Sequence, residues 1–182
     1  MTRKLDRSNT LLLVIDIQGK LAQIMPRREQ ILRNTAIAIQ GFHILQAPVC
    51  CTEQYPKGLG HTDPAITEHL NASDPVLEKI TFSACTDEVN KLLSEKHIQN
   101  VVVCGIETHI CVFQSVRALV ENGYGVFLLQ DAVGSRSEEN YQNGIDLARQ
   151  MGAIITNTES VLFDLLGQAG SDEFKQISRL VK

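Results

Sequence analysis

The sequence predicts an α/β fold: a doubly wound, three-layer α/β/α arrangement around a six-stranded, mostly parallel sheet in the order 3-2-1-4-5-6. Three observations carry this. Short apolar runs rich in valine, isoleucine and leucine recur along the chain, as strands buried on both faces require. Between them lie segments whose apolar residues repeat at helical spacing. No internal repeat, low-complexity stretch or linker interrupts the alternation, so residues 1–182 read as a single domain. Strands alternating with amphipathic helices imply βαβ units, and right-handed crossovers restrict these to doubly wound orders.

Taken in order, residues 11–15 form a buried strand that ends on Asp16, with Ile17, Gln18 and Gly19 as its exit. A helix is expected over about 27–46, with Ile31, Ala38, Phe42 and Leu45 on its inner face. Residues 48–52 are a second short strand. The prolines and glycines between Glu53 and Asp63 mark a surface loop at the same end of the sheet as Asp16. Residues 76–79 make a third strand ending on Lys79. Residues 86–96 are helical, and Asp87 and Glu88 suit the positive end of that helix.

The valines at 101–103 are the fourth strand, broken at Gly105. Cys111, Val112, Val116, Leu119 and Val120 then repeat at helical spacing, which puts Cys111 at or near the first turn of a helix. Gly123-Tyr124-Gly125 is a turn, and residues 126–129 are a fifth strand ending near Asp131. The 135–151 segment is amphipathic, with Tyr141, Ile145, Ala148 and Met151 on one face. Residues 153–155 are the sixth strand. In the tail, Phe174, Ile177, Leu180 and Val181 share one stripe, which packs on this domain or on another subunit.

Composition removes several classes of function. Hydrophobic residues make up 43% and charged residues 21%, ordinary values for a soluble globular protein. The net charge is −4 without a basic block, which argues against nucleic acid and anionic membrane as partners. The apolar run at 11–15 is too short for a membrane span or a signal-peptide core, so a cytoplasmic location is expected. Five cysteines without a C-x-x-C pair argue for reduced thiols rather than a disulfide framework or a zinc cluster.

Three chemically suggestive residues fall at one edge of the expected sheet. A thiol at a helix start faces N–H groups and the positive dipole end, which favour thiolate. Asp16 and Lys79 end strands at the same edge; a carboxylate there can take a thiol proton, and an ammonium can hold the resulting charge. Each also has an ordinary reading: Cys111 as a buried structural thiol, Asp16 as a cap, Lys79 as a solvated edge residue. The coincidence of strand ends one and four with the switch point of the sheet, where ligands bind, favours a site.

These residues sit in stretches that resemble a known family. The segments Leu12-Leu13-Val14-Ile15-Asp16-Ile17-Gln18, Glu78-Lys79 followed by Thr81-Phe82-Ser83, and 105–112 around Cys111 look like the three signatures of the isochorismatase-like cysteine hydrolases. Residues 53–60 resemble the isochorismatase-domain subgroup. Asp131-Ala132-Val133 and the Thr158-Glu159 region resemble its later strands, so the likeness runs from about Thr10 to Leu166. The resemblance implies Asp16, Lys79 and Cys111 as a catalytic triad. It also implies a cis peptide at Ile106–Glu107, with the N–H groups of Glu107 and Cys111 as an oxyanion hole. The implied reaction is cleavage of a small amide-like C–N bond through a covalent Cys111 intermediate. A homo-oligomer acting on a small molecule without a cofactor is expected.

Departures from the family narrow this further. Family nicotinamidases bind a metal through an aspartate–x–histidine pair and a second histidine; the loop from Glu53 to His61 lacks that triplet, so no metal is expected and His61 and His69 read as surface residues. Family enzymes that hydrolyse a vinyl ether can lack the cysteine, which is present here. Gln18, Tyr55 and Phe82 are candidate substrate-binding residues, each equally readable as packing or solvation. Three rivals stand beside the hydrolase: a catalytically silent binding or assembly module, a dinucleotide-binding domain, and a redox protein using Cys111. The second lacks G-x-G-x-x-G after the first strand, and the third lacks a resolving cysteine nearby in sequence.

Overall fold

A computed structural model describes residues 4–182. The first strand, β1 (Thr10–Ile15), is buried at every position. It is followed by a single short turn of helix, α1 (Gly19–Gln23), and by the long α2 (Arg28–Ile44). Next come β2 (Val49–Gln54), two short helices α3 (Pro56–Leu59) and α4 (Pro64–Thr67), and β3 (Val76–Lys79). The second half runs α5 (Asp87–Glu95), β4 (Asn100–Ile106), a π-helical turn (Thr108–Val112) and α6 (Phe113–Glu121). It closes with β5 (Gly125–Gly134), α7 (Glu138–Gln150), β6 (Ile154–Thr156), α8 (Thr158–Leu166) and α9 (Asp172–Leu180).

All six strands are parallel, in the order β3-β2-β1-β4-β5-β6, as the sequence predicts. Alternation along the strands splits the core into two layers. Leu12, Val14, Val102, Cys104 and Phe127 face α2, α8 and α9, meeting Ile39, Phe42, Leu162 and Ile177. Leu11, Leu13, Val101, Val103 and Leu128 face α5, α6 and α7, meeting Leu93, Val116, Leu119 and Ile145. Both faces of β1 and β4 are therefore apolar, which explains their unbroken aliphatic runs. The tail stripe packs on its own domain through Ile177, which is fully buried in the first layer.

Helix starts follow local chemistry. Thr86, Ser137, Asn157 and Ser171 each accept a backbone N–H from the first turn of α5, α7, α8 and α9. Three features differ from the sequence expectation. The region from Thr158 is a helix rather than a strand, and Asp131 holds its start by accepting the N–H and hydroxyl of Thr158. Strand β5 runs past Asp131 to Gly134, because a bulge shifts its register on β4 between Val103 and Gly105. The loop after Glu53 carries two one-turn helices, each started by a proline at its first position.

Candidate active site

The carboxyl ends of β1, β2, β3 and β4 converge at one edge of the sheet, and register fixes which residues meet there. Ile15 lies beside Thr52 on one side and Gly105 on the other, while Gln54 lies beside Lys79. Gly105 has φ +127°, and a Cβ there would stand 2.0 Å from the Ile15 carbonyl oxygen. A glycine is therefore required for β4 to close on β1 at this point, which brings the turn carrying Cys111 beside Asp16.

Asp16 adopts a left-handed backbone, φ +53°, that a short polar side chain tolerates better than a branched one. Its carboxylate is buried and accepts from Lys79 Nζ at 2.6 Å and from Thr52 Oγ1 at 2.8 Å. The ammonium also donates to Gln54 Oε1 at 2.7 Å and to the carbonyls of Thr81 and Phe82, both at 3.1 Å. Cys111, in the π turn, presents its thiol to the same carboxylate. Of the sequence-selected residues, Asp16, Lys79 and Cys111 thus form one cluster although 95 positions separate the first from the last (111 − 16).

Electrostatics corrects the expectation that the helix start lowers the thiol pKa. Burial pushes the Cys111 thiol up to about 12, and the Asp16 charge pushes the same way; the Lys79 ammonium opposes them without cancelling them. Burial likewise raises the Asp16 carboxyl, more than the charge and hydrogen bond of Lys79 and the bonds from Thr52 and Cys111 lower it. The resting thiol is therefore protonated rather than a preformed thiolate, and it faces the Asp16 carboxyl.

The Ile106–Glu107 peptide is cis. The Glu107 carboxylate accepts both the N–H and the Nε–H of Arg136, at 3.1 and 3.0 Å, so it fastens this turn to the end of β5. His109 Nδ1 pairs with Ser135 Oγ at 3.0 Å, across the same junction.

The three candidate substrate-binding residues part company. Gln18 is fully buried and its amide is consumed by backbone: Nε2 donates to the carbonyls of Gln54 and Gly60, and Oε1 accepts the Gln54 N–H at 2.6 Å. Both ends of the amide are engaged in shaping the loop after β2. Tyr55 and Phe82 are each 54% exposed at the rim, beside Ile80. Their backbones are held by the same network, since Tyr55 N–H donates to the Lys79 carbonyl.

Thr52 and Gln54 were not singled out in the sequence. Both are signalled only by register, lying on the strand next to Asp16 and Lys79. His61 is at the surface, its Nδ1 paired with Glu53 at 2.9 Å, and among the described residues no three His, Cys, Asp or Glu side chains group as metal ligands. A cavity of about 480 Å³, lined by Arg7, His43, Asp74 and Lys96 among others, opens by the start of β2 and contains none of the reacting groups.

Comparison with known proteins places these residues in a family context. The isochorismatase-domain family model matches residues 10–160. Isochorismatase family protein 1B from Dictyostelium discoideum is 36% identical, covering 98% of this chain and 89% of that protein. The secreted isochorismatase effector Isc1 of Phytophthora sojae is 36% identical, with 100% and 90% covered. Among solved structures, the MAR1 ribonuclease of Caenorhabditis elegans superposes with a TM-score of 0.94 at 35% identity, covering 98% of this chain and 92% of that one.

Proposed function

The chain belongs to the isochorismatase family of hydrolases, and on that premise we propose that it cleaves a small amide-like C–N bond through a covalent Cys111 intermediate. The observation that carries the reading is the buried Asp16 carboxylate, shared between Lys79 at 2.6 Å and the Cys111 thiol. A buried acid between a cation and a thiol is costly to desolvate, and groups perturbed in this way cluster at functional sites.

In this mechanism Asp16 takes the Cys111 proton as the sulfur forms a bond to the substrate carbonyl carbon. Lys79 stabilises the charge that develops, its position fixed by Gln54 and the two loop carbonyls. The backbone N–H groups of Glu107 and Cys111 receive the oxyanion. As the tetrahedral intermediate collapses, the C–N bond breaks and Asp16 returns the proton to the leaving amine. Asp16 then deprotonates a water that attacks the acyl carbon, and the C–S bond breaks to release product and thiol. Proton transfer and attack are coupled, which a thiol held near 12 requires. Tyr55 and Phe82 contact the substrate's apolar part at the rim.

Five free cysteines support a reducing, cytoplasmic setting. Exposed Tyr55, Val76, Ile80 and Phe82 around the β3 edge support a homo-oligomer, since a patch of this kind is seldom left in water. A ribonuclease reading, suggested by the name of the C. elegans relative, asks for a cationic track that a net charge of −4 does not favour.

The test is amine or ammonia release from a panel of small amides and carbamoyl compounds, with acid-quenched mass spectrometry of the Cys111 peptide. Wild type is expected to show turnover and an acyl or carbamoyl adduct on Cys111, and Asp16→Asn to fold and lose turnover. Turnover surviving in Cys111→Ser would sink the assignment, and cleavage of an RNA control by the wild type would favour the rival.

A further inference from the structure

One buried hydroxyl ties the reacting groups together. Ser115 lies in α6, one turn beyond Cys111, and is completely buried. Its hydroxyl donates to the Cys111 carbonyl at 2.6 Å and accepts the N–H of Ala84 at 2.8 Å. A serine bonding back to the carbonyl four residues earlier is common in helices. The second bond is not of that kind: it spans 31 residues of sequence to reach the segment after β3. That segment carries Thr81 and Phe82, whose carbonyls accept from Lys79 Nζ. A single oxygen thus joins the turn that holds the nucleophile to the loop that holds the lysine. The Cys85 thiol adds a weaker contact to the Ser115 carbonyl at the same junction.

We propose that Ser115 is a positioning residue, which sets the distance and orientation of the Cys111 thiol relative to Asp16 and Lys79 by bonding both of their supporting segments. The inference rests on the cysteine-hydrolase reading above and adds to it a residue that never meets substrate. Without the hydroxyl, the Ala84 N–H is left buried and unpaired and the Cys111 carbonyl loses its 2.6 Å bond, and the junction relieves the stranded donor by opening to water. Asp16, Lys79 and Glu107 are the charged groups that act on the thiol. Burial raises it most and Asp16 next, so an opened turn brings the thiol down towards the ordinary cysteine range. Ser115→Ala should therefore make Cys111 more reactive to alkylation while making it a worse nucleophile for hydrolysis.

The experiment is the iodoacetamide alkylation rate at Cys111 against pH, read by peptide mass in wild type, Ser115→Ala, Ser115→Thr and Phe42→Leu. Phe42 is fully buried in the opposite core layer and controls for general loss of stability. Ser115→Ala is expected to lower the titration midpoint by one pH unit or more, about a tenfold gain in rate at pH 8. Ser115→Thr, which keeps the hydroxyl, and Phe42→Leu should overlay the wild type. A Ser115→Ala profile that matches wild type, or an equal shift in either of the other variants, overturns the proposal. Ser115→Cys, which keeps the size and weakens both bonds, carries the same test should Ser115→Ala not fold. Failure of the hydrolase reading shows separately, as turnover that survives Cys111→Ser.

Discussion

Replacing Lys79 with methionine keeps the buried stem and removes the charge, so the consequence for Asp16 can be worked from the structure. The Lys79 side chain is 1% exposed, and its ammonium bonds Asp16 at 2.6 Å. Without it the carboxylate stands in a buried site with Thr52 Oγ1 as its remaining side-chain oxygen donor. Removing one partner of such a pair costs about 3–5 kcal/mol, because an uncompensated charge stays buried. Burial already raises the Asp16 carboxyl more than Lys79 lowers it, and replacing a buried ion pair by neutral groups of similar size is often neutral or stabilising. The double variant Asp16→Asn/Lys79→Met should then lie within about 1 kcal/mol of wild type or above it, while being inactive.

The pH dependence has a definite sign. With Lys79 gone, the folded pKa of Asp16 is raised further above its unfolded value. Its contribution is present at low pH and lost as pH rises through the folded pKa. The Lys79→Met deficit should accordingly shrink at pH 5 relative to pH 7.5. The assay is urea unfolding of wild type, both single variants and the double variant at each pH. Additive losses in the double variant, or a Lys79→Met deficit that grows on acidification, would refute the reasoning.

Three further outcomes are expected. Gly105→Ala, with its Cβ aimed at the Ile15 carbonyl and φ at +127°, should cost at least about 3 kcal/mol, seen as a melting point roughly 6–12 °C lower. The buried thiols of Cys50 and Cys51, each held near 12, and of Cys104, also raised by burial, stay protonated while the unfolded chain ionises. Stability should therefore be full below about pH 8.5 and fall above it by up to roughly 1.4 kcal/mol per thiol per pH unit; a urea midpoint unchanged between pH 8 and 9.5 would contradict this. Gln18→Leu should strand the carbonyls it holds and cost about 2 kcal/mol, with faster proteolysis of the 55–60 loop as the readout.

The amino-acid sequence alone determined the layers and the strand order of this protein. Two-sided aliphatic runs such as Leu11–Ile15 suit only a buried parallel strand, and right-handed crossovers leave few ways to order such strands. It also placed Asp16, Lys79 and Cys111 at one sheet edge, because charged or glycine residues following each apolar run mark where the strand ends. Tertiary structure alone decided what those residues experience. The thiol sits high rather than low because burial and the Asp16 carboxylate outweigh the Lys79 ammonium, and neither is encoded within a few residues of Cys111. Gln18 looks like a pocket residue beside Asp16, yet its amide closes on Gln54 and Gly60, 36 and 42 positions away. Nothing near Ser115 in the sequence signals its bond to Ala84, which lies 31 positions earlier. Periodicity reports which face of an element is buried; which polar groups meet there depends on chain crossings between residues far apart in sequence, and only the folded sheet supplies them.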